Sequence, residues 1–543
     1  MAGMTGGQAV VEMLRRHGVD TVFALPGLQN DALFEALYDA RNSIRVIHTR
    51  HEQTAAYMAY GYAEASGRVG TYAVVPGPGF LNTTAALSTA YAGNASVLCI
   101  TGQIPLAMIG RGLGFLHEIP DQLGIMQRLT KWAARIEHPA AVPGLIAEAF
   151  RQLASGRRRP VALEIPLDVL AQRAEVELTD PLAPFPDPAI SPAQAKQAAE
   201  MLATAKRPLL IVGGGAMAAG AEIREIAERL QAPVILSYSA KGSIDERHPL
   251  VVNNPTGHRF WGDADTVLAV GTRLQAQYVS WGIDERLKLI RVDIDPAEIN
   301  RMRRPSLGIV GDARAALAAI AAALGLVAAT RPSRAEEVAS AKAAIAAELA
   351  TLSPQVEFAA ALRAALPEDG IYVDELTQVA YVARVTFPVH RPRTYIDSGY
   401  QGTLGYGFPT ALGAKVACPD KPVLSVSGDG GFMYAAPELA TAVRHEIGVV
   451  AVVFTDDAYG NVRRIQRVDY DGKIIASDLT NPDFAALAEV FGATGIRART
   501  PQELQEAIAT SLKRRGPTVI AVPVGEMPDP WKIVYRGRAR PRV

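Results

Sequence analysis

Short apolar runs that break off at glycine or proline alternate along this chain with stretches whose apolar residues recur every three or four positions. In the first third, TVFALPG (from Thr21), TYAVVPGPG (from Thr71) and SVLCITGQIP (from Ser96) belong to the first kind, and AVVEMLRRHG and LFEALYDARN to the second. The first pattern predicts buried strands running into loops and the second predicts amphipathic helices. Their alternation predicts a parallel sheet covered by helices on both faces, with ligands gathering where strands end.

The pattern recurs twice. LTDPLAPFPDPAISP, with five prolines from Pro181 to Pro192, suits neither a helix nor a central strand and reads as an extended linker. After it come RPLLIVGGGAMAAGAEIREIAERL, DTVLAVGTRL and LKLIRVDIDP. A second break at ATRPSRAEE and an Ala-rich connecting helix lead to DGIYVDELTQ, KPVLSVSGDGGF, GVVAVVFTDDAYG and PTVIAVPVG. The expected fold is therefore α/β, three doubly wound parallel-sheet domains spanning about 1–175, 190–328 and 355–530. Gly213, Gly215 and Ala218 fit a dinucleotide-binding pattern, but VILSYSAKG supplies Ser and Tyr where that pattern needs an acid, so a structural glycine turn is the better reading.

Composition narrows the function. At 543 residues the chain exceeds a single core. Its 55 Lys and Arg balance 55 Asp and Glu, so no global field recruits nucleic acid or an anionic membrane. The arginines of the terminal RGRARPRV read as a solvated or subunit-docking tail. No run matches a membrane span or a signal peptide, and Cys99 and Cys418 lie far apart in apolar segments, so a reducing cytoplasm is expected.

The most informative stretch is VLSVSGDGGFMYAAPELATAV. A buried strand ends in Gly428, Asp429, Gly430 and Gly431, and a helix follows. Small residues let backbone amides approach a phosphate, and a carboxylate there can hold the cation that neutralises it. Asp457 ends the next strand, in VVFTDDAYGN, where a second oxygen can meet the same ion. Asp429, Asp457, a backbone carbonyl near Tyr459, two phosphate oxygens and a water would complete an octahedral magnesium shell. Gly-Asp-Gly alone also fits any strand-to-helix turn.

SGDGGF followed by DDAYGN resembles the cofactor motif of thiamine diphosphate enzymes, and RHEQTAAYMAYGYAEASG, from Arg50, resembles the matching motif of their pyrimidine-binding domain. PGPGFLNTTAAL, ITGQIP, GTLGYGFPTALGAK and VDIDPAEINR resemble blocks of the acetolactate synthase branch, in order and over nearly the full length. The resemblance implies that Glu52 bonds the pyrimidine ring nitrogen in a dry pocket and drives the cofactor toward the tautomer that deprotonates its thiazolium carbon. On the residues alone, Glu52 is also a helix N-terminal acid favoured by the dipole. Carried over residue by residue, Leu404 would bend the cofactor from beneath and Gly402 would offer its carbonyl to the aminopyrimidine. Thr377 and Gln378 would face the diphosphate, with helix capping an equal reading for Thr377. Tyr459, Gly460 and Asn461 would complete the cofactor loop. The same resemblance implies sites shared between subunits of a homodimer or homotetramer.

The resemblance places Gln29, Gln103, His117 and Glu118 in pocket-lining loops, with His117 as proton carrier. Phe80 stands where relatives carry a small residue and should narrow the cavity. The chain departs from the branch where Thr455, Asp456 and Asp457 replace a loop that usually carries Asn, and where Ile465 replaces the Trp that shapes the acceptor pocket. Arg463, Arg464 and Arg467 read as a salt-bridged helix face ahead of a substrate trap. The central domain lacks flavin motifs, which favours a member without FAD. The expected activity is decarboxylation of a 2-oxo acid with carboligation to a second carbonyl, using thiamine diphosphate and Mg2+, which Ca2+ or Mn2+ can replace. Non-ligating decarboxylation, carbon–carbon hydrolysis and flavin-linked oxidation are the alternatives; the intact Glu52 and GDG motif argue against a non-catalytic relative.

Overall fold

In the computed structural model, which describes residues 2–540, the apolar runs become the inner strands of three six-stranded parallel sheets flanked by helices, an α/β architecture. The first sheet is ordered Arg45–His48, Thr21–Ala24, Gly70–Val74, Val97–Gln103, Val161–Pro166, Trp132–Arg135. The third repeats that connectivity: Tyr395–Asp397, Ile371–Asp374, Val423–Gly428, Val450–Thr455, Thr518–Pro523, Thr494–Arg497. In both, the chain order reverses beside the first strand, and the loops leaving the strands on either side of that reversal open a crevice. The central sheet runs Val251–Val252, Val234–Leu236, Pro208–Val212, Thr266–Val270, Lys288–Asp293, Leu307–Val310. An antiparallel pair, Ala2–Thr5 with Arg173–Val176, ties the start of the chain to the end of its first unit.

The strands that the apolar pattern does not mark are mostly edge strands. Arg45–His48, Trp132–Arg135 and Thr494–Arg497 are only partly buried, so burial imposes no apolar run on them. At the central sheet's own reversal, the Gly213 amide donates to the Val270 carbonyl and the Gly215 amide to the Gly271 carbonyl. The glycines let two loops close on each other, as a structural turn requires.

Helix Glu52–Ser66 is buried on nearly every face, so one sheet cannot cover it. Helix Gly407–Ala417 of the third unit packs on its other side, and the two units share one apolar core that includes Phe23, Tyr57, Val373 and Tyr406. The helices cross with their backbones touching: a Cβ on Gly61 would lie 1.9 Å from the Thr410 carbonyl oxygen, and one on Gly413 1.9 Å from that of Met58. The central unit keeps its own core and is pinned to the first by Arg157, which donates to Glu298 at 2.5 Å and Asp295 at 3.2 Å.

Two expectations are corrected. Arg540 is buried, not solvated: it donates to Asp284 at 2.9 Å and to the Trp261 carbonyl at 2.8 Å, so the basic tail docks on the central unit of its own chain. Residues 541–543 of that tail lie outside the described residues. Phe80 is fully buried in the shared core and so narrows no open cavity. No helix among the described residues is long and apolar enough to cross a membrane.

Gly413→Ala should cost about 3 kcal/mol through overpacking at the crossing, read as a lower denaturant midpoint. An unchanged midpoint would show that the helices can part without loss. A second prediction concerns His445, whose ring lies 3.2 Å from that of His48 at the same inter-unit contact. Burial, with help from His48 and Arg45, lowers its pKa from 6.5 to about 4. The unfolded chain therefore takes up the proton first, so the stability contributed here is complete above pH ~6.5 and lost as pH falls toward 4. His445→Gln should flatten that slope in pH-dependent unfolding.

Candidate functional site

At the reversal point of the third sheet, Gly428 ends a buried strand and Asp429 opens a short helix. The Asp429 side chain is buried with its oxygens fixed by donors. One accepts from the Gly430 amide at 2.7 Å; the other accepts from the amides of Asp457 (2.8 Å) and Asp456 (3.2 Å) and from the Asn481 side chain (2.9 Å). Asn481 also donates to the Asp457 carboxylate at 2.9 Å, so one amide group spans both predicted ligands. Asp457 is exposed and holds a left-handed backbone, φ 52°. Tyr459 caps helix Gly460–Asp469 and lays its ring over Gly430, where a Cβ would come within 2.6 Å.

A third acid joins this pair. Asp456 accepts from the Gln378 side chain at 2.6 Å, and burial, reinforced by the nearby Asp429 charge, raises its pKa to about 6. Burial likewise raises the Asp429 carboxyl. Carboxylates placed near one another with no basic side chain hydrogen-bonded to them among the described residues offer oxygens of the kind a divalent cation takes. Asp429 and Asp457, bridged by Asn481, stand beside Asp456 as acidic oxygens at the end of the third sheet, while among the described residues no three such side chains are already gathered into a metal-binding group. Sequence reasoning saw the adjacent acids and counted only the second; Asn481, in a loop 24 positions beyond Asp457, gave no signal.

Thr377 caps helix Gln378–Thr386, its hydroxyl accepting from the Ala380 amide at 3.0 Å. Gln378 also donates to the Gly525 carbonyl and accepts from the Met527 amide, tying the C-terminal segment to the acid cluster. Asn461 accepts from the Trp531 indole at 2.9 Å. Arg463, Arg464 and Arg467 pair with Asp478, Asp529 and Glu526, the salt-bridged face anticipated from the sequence. Gly402 (φ 59°) and the partly buried Leu404 lie in the loop before helix Gly407–Ala417. That loop is held by Glu375, a buried carboxylate that accepts from the amides of Gly405 (2.7 Å) and Gly407 (2.9 Å) and from the Ser427 hydroxyl (3.0 Å). With no basic side chain hydrogen-bonded to it among the described residues, burial raises its pKa to about 7.

In the first unit, Glu52 opens helix Glu52–Ser66 and is only partly buried, with one carboxylate oxygen accepting from Asn82 at 2.9 Å. Gln29 donates to the Leu116 carbonyl at 3.0 Å while its own carbonyl has no partner among the described residues; nor have the two polar atoms of the wholly buried Asn30 side chain. His117 sits at φ 70° with Nδ1 buried and without a partner among those residues. Gln103 turns inward, donating to Glu164, which also accepts from Gln122 and Arg135. Glu118 closes its own loop by accepting from the amides of Gly112, Gly114 and Phe115. Within one chain, no hydrogen bond among the described residues joins Glu52 to the acid loops of the third unit. A separate cavity of about 330 Å³ lies between the three units; Glu52, Asp429 and Asp456 are not among its lining residues.

Three family models match in sequence order: the N-terminal TPP binding domain of thiamine pyrophosphate enzymes at residues 4–125, the central domain at 195–320 and the C-terminal TPP binding domain at 376–522. The chain is 38% identical to the probable 2-ketoarginine decarboxylase of Pseudomonas aeruginosa, over 93% of this chain and 90% of that protein. It is 33% identical to an acetolactate synthase of Arthrospira platensis, over 98% and 96% of the two chains. With the acetolactate synthase isozyme 1 large subunit of Escherichia coli it shares 30% identity, again over 98% and 96%. With its three units matched in order and the acid cluster at the reversal point of the third, the chain belongs to the thiamine pyrophosphate enzymes.

Proposed function

We propose that this chain decarboxylates a 2-oxo acid with thiamine diphosphate and a divalent cation and releases the product as an aldehyde. The observation that carries the reading is the pair Asp429 and Asp457, bridged by the Asn481 side chain where strands of the third sheet end, with Asp456 next to them and no basic side chain hydrogen-bonded to the three among the described residues. Asp429, Asp456, Asp457 and a backbone carbonyl near Tyr459 would hold the cation, magnesium first, and through it the cofactor's diphosphate. Bound thiamine diphosphate supplies a nucleophilic carbon and an electron sink.

The chain's own residues supply the rest. Glu52 has one oxygen engaged by Asn82 and one to share a proton with the pyrimidine ring nitrogen. Leu404, in the loop that Glu375 holds through Gly405 and Gly407, would present an apolar side chain to the cofactor. Gln29, Asn30 and His117 carry polar atoms without partners among the described residues, which suits them to orient a substrate carboxylate and deliver a proton. Glu52 is partly exposed within one chain, so the dry pocket its role needs calls for cover from a second copy; a homodimer, or a tetramer of such pairs, follows from this reading.

Protonation of the decarboxylated product is favoured over carboligation by the resemblance to the 2-ketoarginine decarboxylase and by Ile465, where the synthases carry a Trp that shapes the acceptor pocket. Transfer to a second carbonyl is the other reading, supported by the full-length likeness to acetolactate synthases. The scheme itself calls for no flavin.

A panel of 2-oxo acids that includes pyruvate and a guanidino-bearing acid should give carbon dioxide and aldehyde in equal amounts for at least one member. Acyloin or acetolactate as the main product would replace this reading with the ligating one. Asp429→Ala should weaken magnesium-dependent cofactor binding about a hundredfold, and Asp456→Ala at least tenfold, in titrations of cofactor against metal. Binding unchanged in Asp456→Ala would return the second ligand role to Asp457 alone.

A further inference from the structure

A second buried acid of the third unit reaches the segment that carries Glu52. Helix Asp429–Met433 is followed by the turn Ala436–Glu438, and the side chain of Glu438 is 1% exposed. One of its oxygens accepts from the backbone amides of Arg50 and His51, both at 3.0 Å. The other accepts from the Arg50 amide at 3.1 Å and from the Thr441 hydroxyl at 2.5 Å. No basic side chain pairs with it among the described residues. A buried carboxylate without a cation is costly to keep, and this one spends its acceptor capacity on two consecutive amides 387 and 388 positions away in the chain.

Those amides lie immediately ahead of helix Glu52–Ser66, where His51 is the N-cap. The approach is fixed from the first unit as well: the Thr49 amide donates to the Ala24 carbonyl at 3.1 Å and the Thr49 hydroxyl to the His51 carbonyl at 2.9 Å. Inside the helix start, the His51 ring accepts from the Gln53 amide at 3.1 Å. The orientation of Glu52 is thus set by Thr49 and His51 on its own unit and by Glu438 across the boundary.

We infer that Glu438 is a positioning residue for Glu52: by accepting from the Arg50 and His51 amides it sets the angle at which the acid enters the cofactor pocket, an inference that rests on the reading of Glu52 given above. A group that only glued the units together would affect stability and cofactor affinity alike. A group that aims Glu52 affects chiefly the proton transfer that Glu52 promotes.

The test uses the full chain loaded with thiamine diphosphate and magnesium, measuring hydrogen–deuterium exchange at the thiazolium carbon beside cofactor affinity. Glu438→Ala should slow exchange about tenfold at saturating cofactor while affinity changes less than about twofold, as expected for losing an acceptor from two part-buried amides. Glu438→Gln, whose side-chain oxygen can still accept from both amides, should recover most of the rate. Glu52→Gln, with the fold intact, should abolish exchange. Exchange at the wild-type rate in Glu438→Ala beside an inactive Glu52→Gln overturns the positioning role alone. Glu52→Gln exchanging as fast as wild type overturns the reading of Glu52 and this inference with it. Rate and affinity falling together in Glu438→Ala, without recovery in Glu438→Gln, assigns Glu438 to the fold and overturns the role too. Should Glu438→Ala not fold, Thr441→Val, which frees the carboxylate from its hydroxyl anchor, should give a smaller slowing at unchanged affinity, and a wild-type rate there overturns the inference.

Discussion

The backbone contact between helices Glu52–Ser66 and Gly407–Ala417 is the constraint from which the rest of the site follows. Each helix presents a glycine where the other's carbonyl needs room, and no other residue type fits at 1.9 Å from a carbonyl oxygen. The first helix starts at Glu52, and the second starts where the Gly402–Tyr406 loop ends. Locking the two helices together therefore locks the directions in which an acid and an apolar wedge leave their units. Rigid elements hold such groups more accurately than loops do.

Around that crossing, carboxylates do work that elsewhere falls to apolar packing. Glu375 gathers the amides of Gly405 and Gly407, Glu438 those of Arg50 and His51, and Asp429 those of Gly430, Asp456 and Asp457. Each is buried, and burial raises the pKa of each. Amides compensate for lost hydration only in part, so these three acids store a cost that apolar residues would avoid. What they gain is direction, since a carboxylate accepting from two amides fixes a loop more tightly than apolar contact can. Glu164 shows the contrasting solution: it accepts from Arg135 at 2.5 Å as well as from Gln103 and Gln122.

Much of this was legible in the chain. The inner strands had to be continuous apolar runs because helices cover both faces, so TVFALPG, SVLCITGQIP and VLSVSGDGGF declared themselves. Asp429 drew attention because the acid among glycines after a buried strand is followed by a second acidic loop at the end of the next one. Other features had no local signature. The edge strands were hidden by partial exposure, and Phe80, expected to narrow the cavity, is buried in the shared core instead. Asn481 and Glu438 act on residues that lie close only once the units have packed, so neither spacing nor composition could reveal them. The meeting of Asp456 with Gln378, and the left-handed backbone of Asp457 beside it (φ 52°), likewise have no mark in the sequence.

The partial exposure of Glu52 bears on the assembly as much as on the chemistry. A carboxyl group that must share a proton with a ring nitrogen loses that preference when water competes for the same bond, so the role requires a dry environment. Within one chain, Asn82 bonds one of its oxygens and a Cβ added at Gly79 would lie 3.6 Å from the other, while the residue as a whole stays only partly buried. The third unit of the same chain is already engaged just ahead of it, where Glu438 grips Arg50 and His51, and the helix crossing forbids sliding one unit over the other. On the proposed reading of Glu52, closing the pocket on this scaffold calls for the acid loops of another copy, and a fold whose first and third sheets share one connectivity suits a pairing in which each chain would cover the other.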